Sequence, residues 1–177
     1  MTRAESHLVL TAVGPDRPGI VNAISALLHT AGANLEDSRM AILGGEFALL
    51  VLVSGSETSV ADVERQAPRL ESELGLKVLL KRTQRVTQRD FLPYSVRVAG
   101  VDRPGIVRAV TELFTRRGIN VASLESRVSY AADSGTPLFE LEAGIEVPSQ
   151  VALSELRREV ARLSDEENLD VALEPGR

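Results

Sequence analysis

The 177-residue chain contains no cysteine, no tryptophan and only two histidines, His7 and His29. Without cysteine there are no disulfides, no thiolate catalysis and no cysteine-ligated metals. A lone histidine on a strand or helix is usually structural, and two unpaired ones make a poor metal site, so no metal and no cofactor are expected. Aromatic residues are 3% of the chain, too few for the stacking platforms that hold single-stranded nucleic acid. Positive charge is in deficit, with 20 Lys and Arg against 25 Asp and Glu and a net charge of −5. A phosphate backbone is therefore repelled on average, and no direct nucleic-acid partner is expected. No run approaches the ~18 apolar residues of a membrane span, and the opening MTRAESHLVL lacks the apolar stretch of a signal peptide. These absences predict a soluble, cytoplasmic protein.

What is present is a core and a repetition. Hydrophobic residues make up 44% of the chain and charged residues 25%, which suits a folded globular protein. The phrase DRPGIV occurs at Asp16–Val21 and again at Asp102–Val107, 86 residues later. Between positions 14 and 34, 11 of 21 residues are identical at that offset, which marks a duplicated unit. In each copy an alternating run, HLVLTAV or YSVRVAG, predicts a strand. Ile20, Val21, Ile24, Leu27 and Leu28 then recur at helical spacing, as do Ile106, Val107, Val110, Leu113 and Phe114. Gly32 and Gly118 are expected as left-handed C-terminal caps. Strands are predicted over roughly 34–43 and 46–53, with a Gly44-Gly45 hairpin turn, and over roughly 119–130 and 137–147, turning through ADSGTP. A second helix follows in each copy, marked by Val60, Val63, Ala67, Leu70 and Leu74, and by Val151, Leu156, Val160 and Leu163. LKVLL and LDVAL close the copies as strands. The expected fold is α+β: two ferredoxin-like βαββαβ domains, 1–82 and 93–177, each an antiparallel sheet with helices on one face. The basic segment KRTQRVTQRD at 81–90, with Lys81, Arg82, Arg85 and Arg89, overlaps the expected linker at 83–92 and reads as a solvated connection.

The repeated phrase has two readings. If Asp16 is the N-cap, Pro18 sits in the first helical turn and the carboxylate accepts the Gly19 N–H. The N–H groups around Gly19 and Ile20, at the positive end of the helix dipole, also suit a ligand carboxylate, and Gly19 lets a small molecule approach the backbone. The same residues serve equally as a plain helix start. Asn34 and Asn120 follow the capping glycines by two residues. Each is an ordinary turn asparagine, or a ligand contact if strand two lies beside the strand-one loop.

VGPDRPGIVNAISALLHTAGANLEDSRM and AGVDRPGIVRAVTELFTRRGINVASLESRV resemble ACT domains, regulatory amino-acid-binding modules of ferredoxin-like topology. Two of them over about 8–82 and 93–174 resemble the glycine cleavage system transcriptional repressor family. The resemblance implies a ligand held between the strand-one loop of one domain and strand two of a neighbouring domain. Residue by residue it implies Asp16, Gly19, Ile20 and Asn34, with Asp102, Gly105, Ile106 and Asn120. It further implies a small amino acid as ligand, glycine or serine, a protein partner that is a transcription regulator or an enzyme, and a homo-oligomer. Two extra residues are expected after Asn120, so that Ser38-Arg39 aligns with Ser126-Arg127.

Other signals carry less. GGEF at Gly44–Phe47 spells a diguanylate cyclase signature, but no upstream strand supplies the metal-binding carboxylates such chemistry needs. No G-x-S-x-G elbow is present, and the DEEN stretch at 165–168 reads as a solvated helix end. The chain is expected to be a sensor rather than an enzyme, with a detached regulatory subunit or a structural adaptor as alternatives. The two sheets should differ on their outer faces. Phe47, Leu49, Val51 and Val53 face the helices in copy one, leaving Ala48, Leu50 and Leu52 outside. In copy two the outer positions are Glu140, Glu142 and Glu146.

Overall fold

Alternation in the first copy produces strand β1 (Ser6–Pro15), in which Leu8, Leu10 and Ala12 are buried while Val13 is 42% exposed. The computed structural model describes residues 5–84 and 90–176, so Arg85 and Arg89 of the expected linker lie outside the described residues. The chain divides into two compact units. In the first, β1 is followed by α1 (Ile20–Thr30), β2 (Asn34–Leu43), β3 (Glu46–Gly55), α2 (Glu57–Leu74) and β4 (Lys77–Thr83). In the second, β5 (Phe91–Val101) is followed by α3 (Ile106–Arg116), β6 (Asn120–Tyr130), β7 (Pro137–Pro148), α4 (Leu153–Glu167) and β8 (Asp170–Pro175). Each unit is a four-stranded antiparallel sheet, ordered β2-β3-β1-β4 and β6-β7-β5-β8. This is the βαββαβ ferredoxin-like fold that the repeat predicts.

The helix ends follow from local chemistry. Beyond α1, Gly32 donates to the His29 carbonyl and Ala33 to that of Leu28; beyond α3, Gly118 donates to Thr115 and Ile119 to Phe114. These paired bonds form a Schellman motif in both copies, with Gly32 and Gly118 at positive φ as expected. Helix α2 starts at Ser56, whose hydroxyl accepts the Ser59 N–H at 3.1 Å. Gly44 and Gly45 both take positive φ and join β2 to β3 in a two-residue turn.

The helices lie on one face of each sheet. Phe47, Leu49, Val51 and Val53 join Ile20, Ile24, Val60 and Val63 in the first core. Phe139, Leu141, Ala143, Ile145 and Val147 join Ile106, Phe114 and Leu156 in the second. Each fully buried aliphatic or aromatic side chain contributes about 1.5–3 kcal/mol, so these sets dominate the stability of their units.

One expected alignment is corrected by the sheet register. Glu36 is the bulged residue of β2, between Leu35 and Asp37, and Ala122 is its counterpart in β6, between Val121 and Ser123. The offset of 86 therefore persists through both strands. Arg39 faces Leu50, and Glu125, not Arg127, takes the equivalent place opposite Glu142. No insertion follows Asn120. The extra residues lengthen the hairpin instead, because β2 and β3 join through Gly44-Gly45 whereas β6 and β7 join through residues 131–136. A hairpin tip absorbs added residues at low cost, and a paired strand does not.

Candidate ligand-binding site

The loop between β1 and α1 is built twice in the same way. The Asp16 N–H donates to the Gly45 carbonyl at 3.0 Å, and the Asp102 N–H to the Pro137 carbonyl at 2.9 Å. Arg17 donates to the Glu73 carbonyl in the last turn of α2, at 2.8 Å. Arg103 does the same to the Glu167 carbonyl of α4, at 2.8 Å, and pairs with the Glu167 carboxylate. A helix C-terminus carries partial negative charge and unpaired carbonyls, so a guanidinium there is favourable. This clasp was missed from sequence, although the arginine is repeated inside the phrase.

Asp16 is not the N-cap. Helix α1 begins at Ile20 with Gly19 as its cap, at φ 98° and ψ −11°, and α3 begins at Ile106 with Gly105 at φ 100° and ψ −9°. Those dihedrals are the third position of a type II turn, for which Pro at the second position and Gly at the third are the preferred residues. Pro18 and Gly19 thus form a turn ahead of the helix, and Asp16 stays outside it. No side chain caps either helix, which leaves the first N–H groups to the loop surface. A Cβ built on Gly19 or Gly105 meets nothing within 4 Å. The backbone dihedral, not crowding, demands glycine there, and the space above it is open. Ile20 and Ile106 are buried in the cores, so of these two residues only the backbone N–H groups are left near the loop surface.

Asn34 and Asn120 lie elsewhere. Pro15 pairs with Glu46, which ends the hairpin opposite Leu43, whereas Asn34 pairs with Ser54, opposite His7. Strand β3 separates β1 from β2, and the eight-residue interval from His7 to Pro15 spans about 26 Å of strand. Within one unit the asparagine and the Gly19 loop therefore sit at opposite ends of the sheet. The second unit repeats this, with Asn120 opposite Glu146 and Pro93, and Val101 at the far end of β5. Strand two does not lie beside the strand-one loop of its own unit. The amide of Asn120 also donates to Glu146 at 2.8 Å, whereas Asn34 faces Ser54.

The outer faces of the sheets differ as the alternation predicts. In the first unit Leu50 is 48% and Leu79 67% exposed, in one row with Arg39 and Thr11. In the second unit the matching row is Glu125, Glu142, Arg97 and Ala172. There Arg97 pairs with Glu174 and Arg127 with Glu140.

Each unit of the duplicated ferredoxin-like fold carries an uncapped helix start at the same place. The chain matches the ACT domain family twice, over residues 6–81 and 94–161. It is 34% identical over 171 residues, 95% of this chain and 90% of the other, to the glycine cleavage system transcriptional repressor of Escherichia coli K12. A crystal structure of a protein of unknown function from Galdieria sulphuraria superposes with a TM-score of 0.80 at 32% identity, covering 98% of this chain and 99% of that one. Another, provisionally ascribed to a glycine cleavage system transcriptional repressor, gives a TM-score of 0.72 at 33% identity, with 96% of each chain covered. The chain belongs to the family of tandem ACT-domain proteins that includes the glycine cleavage system transcriptional repressor. The relatives so named carry the name of a regulator, not of an enzyme. No helix among the described residues is long and apolar enough to cross a membrane.

Proposed function

We propose that this chain is a cytoplasmic, non-catalytic sensor that binds a small amino acid and modulates a protein partner in the transcriptional control of amino-acid metabolism. Its two ACT domains are taken as 1–82 and 93–177, with strand pairing carrying the first through Thr83 of β4 and opening the second at Phe91 of β5, inside the expected linker 83–92. The observation that carries the reading is the paired loop at Gly19 and Gly105. In both copies a left-handed glycine leaves open space above an uncapped helix start. Such a backbone suits a carboxylate.

The N–H groups of Gly19 and Ile20, or of Gly105 and Ile106, take the ligand carboxylate, with Asp16 or Asp102 placed for its ammonium. Asn34 and Asn120 lie about 26 Å away along their own sheets, so neither contacts a ligand held at the loop of its own unit. Glycine, or serine, is the first candidate because the relatives this chain resembles are named for the glycine cleavage system; the open space above the loop does not by itself select among side chains. With a net charge of −5, control of transcription passes through another protein rather than through direct DNA contact.

Calorimetric titration of the full chain with glycine, L-serine and a panel of larger amino acids tests the ligand. Saturable binding of a small member supports the reading, and the absence of binding to any member overturns it. Co-purification then separates a transcription regulator as partner from an enzyme, the second outcome making the chain a detached regulatory subunit.

A further inference from the structure

The corner of the first sheet where β1 and β2 begin gathers three groups that the amino-acid site does not use. His7 is buried, at 9% exposure, on the outer face of β1. Its Nε2 has no hydrogen-bond partner among the described residues. An orphaned buried polar atom costs about 1–3 kcal/mol, and none of the core packing requires an imidazole there. The Glu36 Oε1 stands 3.5 Å from that nitrogen. One donor atom from each of Glu5, His7 and Glu36 lies within 4.8 Å of the others.

Glu36 is brought there by the bulge in β2. A bulge leaves its extra residue unpaired and re-aims the side chain; here the carboxylate reaches past β3 toward β1. The second unit keeps the bulge but not the chemistry. By register, Pro93 stands where His7 does, and Ala122 where Glu36 does. The bulge thus needs no carboxylate and the strand no imidazole. What the first unit adds at this corner is not required by the fold.

The geometry points to a divalent transition-metal site in the first unit, with His7 Nε2, a Glu36 oxygen and a Glu5 oxygen as ligands and zinc as the fitting ion. An imidazole with two carboxylates and no thiolate suits zinc among the borderline metals. Zinc bonds of about 2.0–2.1 Å in tetrahedral geometry set donor atoms roughly 3.3 Å apart, which matches the His7–Glu36 spacing. Three protein ligands leave the fourth position to water. Arg82 lines the same recess, but its guanidinium is turned to Glu57 and Glu64, which offsets its charge. A metal site here departs from the expectation, read from the sequence, of no metal.

The full chain, freed of metal by a chelator and carrying no affinity tag, is titrated with zinc chloride and its bound metal counted. With ¹⁵N-labelled histidine, the two imidazoles report separately. The expected result is one zinc per chain, with the His7 ring resonances displaced and those of His29, exposed on α1, unmoved. His7→Ala and Glu36→Gln should each weaken uptake at least tenfold, while His29→Ala leaves it unchanged. If His7→Ala fails to fold, Glu36→Gln on the half-buried bulge decides alone. No uptake by the wild-type chain, or equal uptake by wild type and Glu36→Gln, overturns the site. Neither result bears on the amino-acid loops, which lie at the other end of the sheet.

Discussion

At Gly19 and Gly105 a single backbone torsion governs which substitutions are informative. A β-branched residue at φ near 100° is strained by about 1–3 kcal/mol, so Gly19→Val lowers the melting temperature whether or not the loop binds anything. Asparagine tolerates left-handed backbone and would project into the open space above the loop. Gly19→Asn and Gly105→Asn are therefore expected to melt within a few degrees of wild type while losing roughly tenfold or more in amino-acid affinity. Wild-type affinity in both variants, measured by calorimetry, would show that the loop backbone is not the contact surface. The sequence displayed these glycines but not their torsion, because Pro-Gly is compatible both with a first helical turn and with a type II turn. His7 and Glu36 were less legible still. They lie on strands that do not adjoin, and only the register and the bulge bring them together.

Among the elements, Arg82 links β4 to α2. Its guanidinium makes two 2.9 Å bonds to Glu64 and a further bond to Glu57, which also accepts from Ser6 at 2.8 Å. Hydrogen bonding to Arg82 holds both carboxyls below the usual glutamate range. For a depressed carboxyl, the stabilisation is present above the unfolded-state pKa and is lost as pH falls through the lower folded value. Because these groups are exposed, the clamp contributes little at neutral pH. Arg82→Gln is expected to return the Glu57 and Glu64 titrations toward the ordinary range in carboxyl-detected NMR, with a small change in melting temperature. Titrations unmoved by Arg82→Gln would mean that the clamp does not persist in solution. At this scale the sequence was most readable. Capping glycines, the Gly-Gly turn and apolar periodicity are local signals, and the helices and strands formed where those signals lie. The length of the β6–β7 hairpin was misplaced into β6, because identity around Ser-Arg outweighed a register that no linear alignment contains.

For the whole molecule, the contrast between sheet faces carries the prediction. Leu50 and Leu52 occupy the positions of Glu142 and Gly144 in the second unit, and soluble chains seldom leave a broad apolar patch in water. If a second copy or a partner covers that face, Leu50→Glu with Leu52→Glu is expected to lower the sedimenting mass while the second unit keeps its melting transition. Charge changes at Glu140 or Glu142 should have mild effects. An unchanged mass and unchanged partner capture in the double variant would leave the asymmetry without a role. The acidic balance of the chain leads to a separate expectation of no salt-resistant duplex DNA binding in a gel shift at physiological salt. Submicromolar binding there would contradict the proposed route through a protein partner.

The arginine clasp has a mechanical consequence. Because Arg17 donates to the Glu73 carbonyl in the final turn of α2 from the residue beside Pro18, the loop and the end of α2 are expected to be coupled, so that ordering one favours order in the other. A ligand that immobilises the loop must slow the fraying of α2, and by thermodynamic reciprocity a protein that grips the end of α2 must tighten the loop for its ligand. Amide exchange at Gly75, whose N–H closes α2 on the Glu71 carbonyl at 3.0 Å, is the gauge. It should slow when ligand is added and lose that response in Arg17→Met. The same arginine bond occurs once in each unit, so a matching response at the end of α4 is expected when the loop at Gly105 is occupied.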